Sequence, residues 1–210
     1  MNSIEKEYVY DAYNTIYKRF DESRAYLWKS VKEFNSNISD GSIVVEVGSG
    51  NGKNLQNKNC YNIATDLCEK FLEITNKKGI DSLQLNNLSI PLKNNMADYV
   101  LSIAVIHHLT TEERRYKAVS EMIRILKPGG KMIIQVWAMK QPENSRRKFT
   151  EQDNYVSFKN AQKTIEKLRY YHVFNEGELD NILKSFENIV ILDSFWEVGN
   201  WIAIIEKNIN

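Results

Sequence analysis

A chain of 210 residues with 42% hydrophobic content can bury the core of one α/β domain and leaves little room for a second. A formal net charge of +1 names no partner, so any contact with nucleic acid must come from a local patch. The longest apolar runs (99–106 and 132–138) fall far short of a membrane span, the charged N-terminus lacks the apolar core of a secretion signal, and two cysteines make neither a disulfide framework nor a four-ligand zinc site, which fits reduced thiols in a cytosolic protein.

Val9, Tyr13, Ile16, Tyr17 and Phe20 have the spacing of an amphipathic helix, and a second helix is predicted over 27–34. Strand and helix signals then alternate. Strands are predicted at 42–47, 61–65, 82–85, 97–104 and 132–137, with a short helix near 53–56 and longer ones over 68–76 and 111–126. Lys127-Pro-Gly-Gly130 is expected to stop the last of these helices, because proline cannot continue it and glycine accepts positive φ. From 140 to about 162 the pattern dissolves into a charged stretch, read with the following residues to 168 as a loop or insertion. A helix over 176–186 and two strands, 189–194 and 201–206, close the chain, and the short turn between those strands makes them a hairpin. The fold class implied is α/β and Rossmann-like: one domain with a seven-stranded, mostly parallel sheet, helices on both faces and a C-terminal antiparallel hairpin.

The strongest local signal is Val44-Val-Glu-Val-Gly-Ser-Gly-Asn-Gly-Lys53. A β-branched run delivers the chain to a tight turn in which Gly48, Gly50 and Gly52 permit close backbone approach to a ligand. About twenty residues past Glu46, at the end of the next strand, Asp66 is placed to accept both ribose hydroxyls of an adenosyl group. A dinucleotide fingerprint would set the third glycine three residues after the second; here Gly52 follows Gly50 by two. An acidic residue beside the loop suits a sulfonium-bearing amino acid better than a pyrophosphate. Loop, aspartate and the 127–130 turn together imply S-adenosyl-L-methionine as cofactor, with S-adenosyl-L-homocysteine as product and a class I methyltransferase fold. Glu46, Gly48, Gly50, Asn51, Lys53, Asp66, Leu67, Asn86, Asn87 and Ala104 are the cofactor candidates. Asn86 can meet the adenine edge or simply cap a turn.

The acceptor belongs at Ser102-Ile-Ala-Val-Ile-His-His-Leu109. The Asn/Asp-Pro-Pro-aromatic turn of amino-group methyltransferases is missing there, and no cysteine is placed to attack a pyrimidine. An oxygen acceptor or an unusual small molecule remains. His107 and His108 are open as base, as donor or as packing.

The run Ser102-Ile-Ala-Val-Ile-His-His-Leu-Thr-Thr-Glu-Glu-Arg-Arg115 resembles the signature of the tRNA wobble-uridine carboxymethyl methyltransferases. So do Val47-Gly-Ser-Gly-Asn-Gly-Lys53, Gln135-Val-Trp-Ala-Met-Lys-Gln141, Arg169-Tyr-Tyr-His-Val-Phe-Asn-Glu-Gly-Glu-Leu179, Glu7-Tyr-Val-Tyr-Asp11 and Ser23-Arg-Ala-Tyr-Leu-Trp28. The likeness spans nearly the whole chain. Departures are Ser49 for the usual cysteine, Asn86 for aspartate, Leu27 and Lys29 where prolines often flank the tryptophan, and a short insertion after the fifth strand.

The resemblance implies esterification of 5-carboxymethyluridine to 5-methoxycarbonylmethyluridine in the tRNA anticodon loop, in the cytoplasm with a nuclear location also open. It also implies a heterodimer with a small zinc-binding activator subunit, which would pair with an exposed edge strand; residues 82–85 are the expected edge. The metal would be the partner's. A carboxylate acceptor with a pKa of about 4 is already ionised, so no general base is required and positioning dominates. Arg24, Arg114 and Arg115 are the expected catalytic clamp with His108, while His107, Arg169, Tyr170, Tyr171 and His172 are expected at the base. Tyr170 and Tyr171 as core, and Arg114-Arg115 as a solvated face, are the structural alternatives. Lys140, Arg146, Arg147, Lys148, Lys159, Lys163 and Lys167 make a basic stretch that suits RNA phosphates or plain solvent. Two rival functions stand beside this one: methylation of a small metabolite with a histidine as base, and a cofactor-binding scaffold without activity.

Overall fold

The computed structural model describes residues 1–23, 26–159 and 162–209. Seven strands form one sheet in the order β3-β2-β1-β4-β5-β9-β8. They are β1 (Ile43–Val47), β2 (Tyr61–Asp66), β3 (Asp81–Gln84), β4 (Ala97–Ile103), β5 (Leu126–Trp137), β8 (Ile189–Glu197) and β9 (Asn200–Lys207). The first five pair in parallel, while β9 runs antiparallel to both β5 and β8, as the hairpin reading expects. The near-continuous apolar runs of β1, β4 and β5 follow from burial on both sides. One cluster joins Val100, Met132 and Ile134 to Val119 and Met122 of α5 (Glu112–Ile125) and Leu183 of α6 (Glu178–Lys184). On the other face Val44, Leu101, Ile133 and Ile202 meet Val31 and Phe34 of α3 (Lys29–Ser36). The remaining crossover, α4 (Glu69–Lys77), joins β2 to β3. Among the described residues no helix is long and apolar enough to cross a membrane.

Four expectations need correction. The short helix at 53–56 is absent; those residues form turns, with buried Asn54 donating from Nδ2 to Glu46 Oε1 at 2.6 Å. Lys127-Pro-Gly-Gly130 does not separate helix from strand. α5 ends at Ile125 and β5 begins at once, with Leu126 paired to Ala97 and the next pair Tyr99–Lys131. The four residues between form a bulge in which Gly129 takes φ +74° and a Cβ on Gly130 would lie 2.8 Å from Asp98 O. The N-terminal helix is not uniform. It runs α1 (Ser3–Glu5), a π turn (Lys6–Tyr10) and α2 (Asp11–Glu22).

The largest departure is the loop expected over 140–168. Residues from 153 onward build a separate two-stranded antiparallel sheet of β6 (Asp153–Lys159) and β7 (Ile165–His172). Its strands carry Asp, Asn, Ser and Lys at exposed or half-exposed positions, which hid the alternation. The ribbon is held by ion pairs and hydrogen bonds to the body. Arg19 of α2 meets Glu166 at 3.0 Å, and both ring nitrogens of His172 face carboxylates, Asp153 at 2.8 Å and Glu178 at 2.7 Å.

Candidate active site

The carboxyl ends of β1, β2 and β4, the 85–87 segment, Tyr171 near the end of β7 and the N-terminal helices surround a cavity of about 520 Å³. That is within the roughly 300–1,000 Å³ usual for small-molecule sites.

The cofactor end follows from backbone. Gly48 has φ +76°, and a Cβ there would sit 2.5 Å from Val105 Cγ2; a Cβ on Gly52 would meet Thr75 at 2.8 Å. A Cβ on Gly50 (φ +52°) would meet, among the described residues, only Phe20, at 3.9 Å, so that side of Gly50 is open on the cavity wall. Asp66 accepts from Gly50 N–H at 2.9 Å and from Cys68 N–H at 2.8 Å, which fixes the carboxylate, yet each oxygen keeps a second lone pair. Burial raises its pKa, opposed by those backbone donors. Ala104, also on the wall, takes φ +61°, uncommon for a residue with a side chain. Asn86 Oδ1 accepts from Leu88 N–H at 3.0 Å, so Asn86 caps its turn and lines the cavity at once. Gly48, Gly50, Asn51, Lys53, Asp66, Leu67, Asn86, Asn87 and Ala104 all line the cavity. Glu46 does not. It lies beneath the loop, fully buried, and burial lifts its pKa to about 8. A glycine cradle that tolerates no side chain at Gly48, an open face at Gly50 and a fixed carboxylate at Asp66 fit an adenosyl sulfonium amino acid.

The acceptor end is made of side chains from distant segments. His108 Nδ1 faces the carbonyl oxygen of Tyr170 at 2.7 Å, so it carries the proton; Nε2 then accepts from Tyr13 OH at 2.9 Å. Burial pushes its pKa down to about 3. His107 Nδ1 accepts from Trp137 N–H at 3.2 Å, which leaves the proton on Nε2, a fully buried nitrogen with no hydrogen-bond partner among the described residues. Burial, then the neighbouring His108, hold its pKa well below the usual histidine range. Both imidazoles are therefore neutral, and neither turns a lone pair to the cavity.

Tyr171 stacks on His107 (centroids 4.8 Å apart, planes 27°) and lies 4.3 Å from Trp137. The two-residue period of β7 divides its motif. Tyr171 reaches the cavity and Arg169, on the same face, is packed among the rings of Tyr13, Phe158 and Tyr171. Tyr170 and His172 face away: Tyr170 OH donates to Asp153 at 2.6 Å, in the same cluster as His172.

Of the arginines expected to clamp substrate, Arg114 lines the cavity but its fork closes on buried Glu5, Nε to Oε1 at 2.7 Å and Nη2 to Oε2. Arg115 is buried off the wall, donating to Leu109 O at 2.9 Å with Glu178 3.9 Å away. Arg24 lies outside the described residues. Arg169, Tyr170, His172, Arg115 and Glu46 are thus set behind the wall, not on it, because burial and strand alternation claim their side chains. Conversely, Glu5, Val9, Tyr13, Phe20, Trp137 and Arg147 line the cavity. Tyr13 and Phe20 read in sequence as the apolar stripe of a helix; Val9 and Trp137 carried a hint through motifs shared with the resembling family, and Arg147 stood only as one charge of a basic stretch.

A family model described as a methyltransferase domain matches residues 45–134. A tRNA (carboxymethyluridine(34)-5-O)-methyltransferase of Schizosaccharomyces pombe is 37% identical over 97% of this chain and 98% of its own length. The chain belongs to that family. It is an enzyme, and S-adenosylmethionine is its cofactor. Another family member, alkbh8 of Xenopus tropicalis, is 30% identical over 98% of this chain, which spans 42% of that longer protein. The putative methyltransferase solved in complex with the Haloferax volcanii Trm112 activator shares the fold, with a TM-score of 0.67 at 15% identity over 96% of this chain and 99% of that one.

Proposed function

We propose that this family member methylates the carboxylate of 5-carboxymethyluridine at the tRNA wobble position, giving 5-methoxycarbonylmethyluridine. One observation carries the reading: among the described residues neither histidine at the acceptor end is available as a base, since His107 Nδ1 and His108 Nε2 are both occupied by donors and both rings are held neutral by burial. An enzyme so built needs an acceptor that arrives already ionised, and a carboxylate does so above a pKa of about 4. A metabolite hydroxyl activated by a histidine is disfavoured on the same ground.

Bound S-adenosylmethionine supplies a methyl group on sulfur that a carboxylate oxygen can attack directly. The chain's own part is binding and alignment, a contribution worth roughly 7–11 kcal/mol where reactants are held in line. Gly48, Gly50 and Asp66 hold the cofactor, and half-buried Trp137, backed by the buried rings of Tyr171 and His107, offers the flipped base a stacking face. His108, through Tyr13, fixes the N-terminal helix over the site and so positions rather than reacts. A small zinc-binding activator would complete the enzyme by pairing with β3, an outer strand of the sheet. The reaction belongs in the cytoplasm or nucleus with its tRNA, and the basic 140–168 stretch suits the phosphates of the anticodon stem.

Nucleoside mass spectrometry of bulk tRNA from cells lacking the protein tests the reading. Accumulated 5-carboxymethyluridine and lost methyl ester are expected; an unchanged profile overturns it.

A further inference from the structure

A uracil ring carries one N–H donor, N3–H, between two carbonyl oxygens, so a site that reads this base needs an acceptor at that edge. The acceptor end of the cavity reaches the β8–β9 hairpin, whose two-residue loop is Val198-Gly199. Val198, Gly199 and Asn200 line the cavity together with Trp137. Trp137 and Asn200 are directly paired across β5 and β9, so their side chains rise side by side from one face of the sheet.

The amide of Asn200 is engaged at one end only. Its Nδ2 donates to Glu197 O at 3.1 Å and to Val198 O at 3.2 Å, which uses both hydrogens. Turning the amide over would set its oxygen against those two carbonyls, so its orientation is fixed. Oδ1 is left closed off from solvent and without a hydrogen-bond partner among the described residues, on a residue only 2% exposed. A buried acceptor with no donor is unfavourable, and a donor carried in on a ligand relieves it.

The hairpin holds that oxygen in place. Positive φ at both loop residues, +44° at Val198 and +83° at Gly199, makes a type I′ turn. Asn or Asp ordinarily precedes the glycine of such a turn, and a β-branched valine there is strained. The strain sits at an exposed residue that borders the cavity. Gln141 Nε2 donates to Ala138 O at 2.7 Å and to Gly199 O at 3.0 Å, while Glu197 accepts from Ser30 N–H at 3.2 Å and Ser30 Oγ–H at 2.7 Å. The turn is thereby tied to the chain after β5 and to α3.

We propose that Asn200 Oδ1 accepts N3–H of the wobble uracil stacked on Trp137, so that Asn200 selects uracil over cytosine, whose N3 is itself an acceptor. This rests on the carboxymethyluridine reading above and adds to it the residue that reads the base.

The test uses the full chain, co-purified with the activator subunit, and anticodon stem-loop RNAs carrying carboxymethyluridine, carboxymethylcytidine or N3-methyl-carboxymethyluridine at the wobble position. All three keep the carboxylate. The cytidine lacks the N3 donor without added bulk, and the N3-methyl base has it blocked. Methyl-ester formation from S-adenosylmethionine gives kcat and KM on each RNA. Wild type should show a kcat/KM about 10- to 100-fold higher on the uridine than on either analogue, the cost of leaving a buried acceptor unpaired. Asn200→Ala and Asn200→Ser, the second keeping a hydroxyl donor for the turn, should bring both ratios close to one, chiefly by raising KM on the uridine RNA. Gln141→Ala loosens the same turn but leaves the acceptor, and should weaken all three RNAs alike with the ratios kept. Asn200 variants that melt cooperatively yet keep the wild-type ratios overturn the proposal alone. So does a wild type that esterifies the uridine and cytidine acids equally well, a comparison that needs no variant to fold. A wild type that fails to methylate the carboxymethyluridine RNA removes the function proposed above, and this proposal with it.

Discussion

The two ends of the cavity are built on different principles. The end proposed for the cofactor is a short stretch of backbone: β1, three glycines with positive φ, and a carboxylate from the adjoining strand that ties back to Gly50. The acceptor end draws Glu5 and Tyr13 from the N-terminal helices, two histidines from the end of β4, Trp137 from β5 and Tyr171 from β7. Local backbone geometry is robust to side-chain change but intolerant of a Cβ. A long-range side-chain assembly should fail the other way, by degrees and through loosened alignment.

The sharpest way to break the first end is Gly48→Ala. A new methyl 2.5 Å from Val105 and a residue forced to φ +76° combine overpacking with backbone strain, together about 2–5 kcal/mol. S-adenosylmethionine binding by calorimetry should vanish or weaken more than 100-fold, alongside a lower melting temperature; binding at wild-type strength would show that the loop shifts freely.

At the other end, Arg114→Ala leaves Glu5 buried beside Thr110 with its main counter-charge gone, a loss of about 3 kcal/mol. Hydrogen exchange should accelerate across 3–22 first while the glycine loop stays protected. Uniform exchange through the chain would mean that the ends are not separable.

Tyr13→Phe is milder. It removes the donor to His108 Nε2, at a cost of about 1–2 kcal/mol, and should lower kcat/KM about tenfold with cofactor affinity intact. Equal loss of both would tie Tyr13 to the cofactor instead.

The smallest effects are in pH. The rate on the acid RNA should be nearly flat from about pH 6 to 8, because the acceptor is ionised and His107 and His108 are neutral throughout. A rise through about 6.5 would restore a histidine base. Stability separates the ends by sign. Glu46, raised by burial from 4.5 to about 8, contributes stability that is full below pH 4.5 and lost as pH rises to about 8. His108, lowered to about 3, contributes stability present above 6.5 and lost as pH falls toward 3. Glu46→Gln should therefore flatten the alkaline limb of a melting-temperature profile and leave the acid limb in place.

Legibility in the sequence divides along the same line. The alternation that gave β1 to β5 and the closing hairpin is a local pattern, and so is the glycine loop with Asp66 one strand on. Arg169 to His172 is local too, yet its meaning required the strand's register: neighbours in sequence point to opposite faces, so Tyr171 meets the cavity while Tyr170 bonds Asp153 within the ribbon and His172 tethers the ribbon to Glu178 of α6. Arg114 and Arg115 were read as one pair, but adjacent helical positions diverge by about 100° and meet different partners. Arg147 was indistinguishable from its charged neighbours until the chain brought it over Trp137.

The π turn at Lys6–Tyr10 has a geometric consequence for the roof of the cavity. Eight residues separate Glu5 from Tyr13, and in a uniform α-helix that spacing rotates one side chain about 80° from the other. A π turn takes up one extra residue, so the two are related by about seven α-helical steps and differ by only some 20°. Glu5 can therefore seat on Thr110 and Arg114 while Tyr13 seats on His108, one face touching both ends of the same short stretch. Removing a single residue from 6–10 would regularise the helix and swing one of these anchors away, so the irregularity sets the phase of the lid.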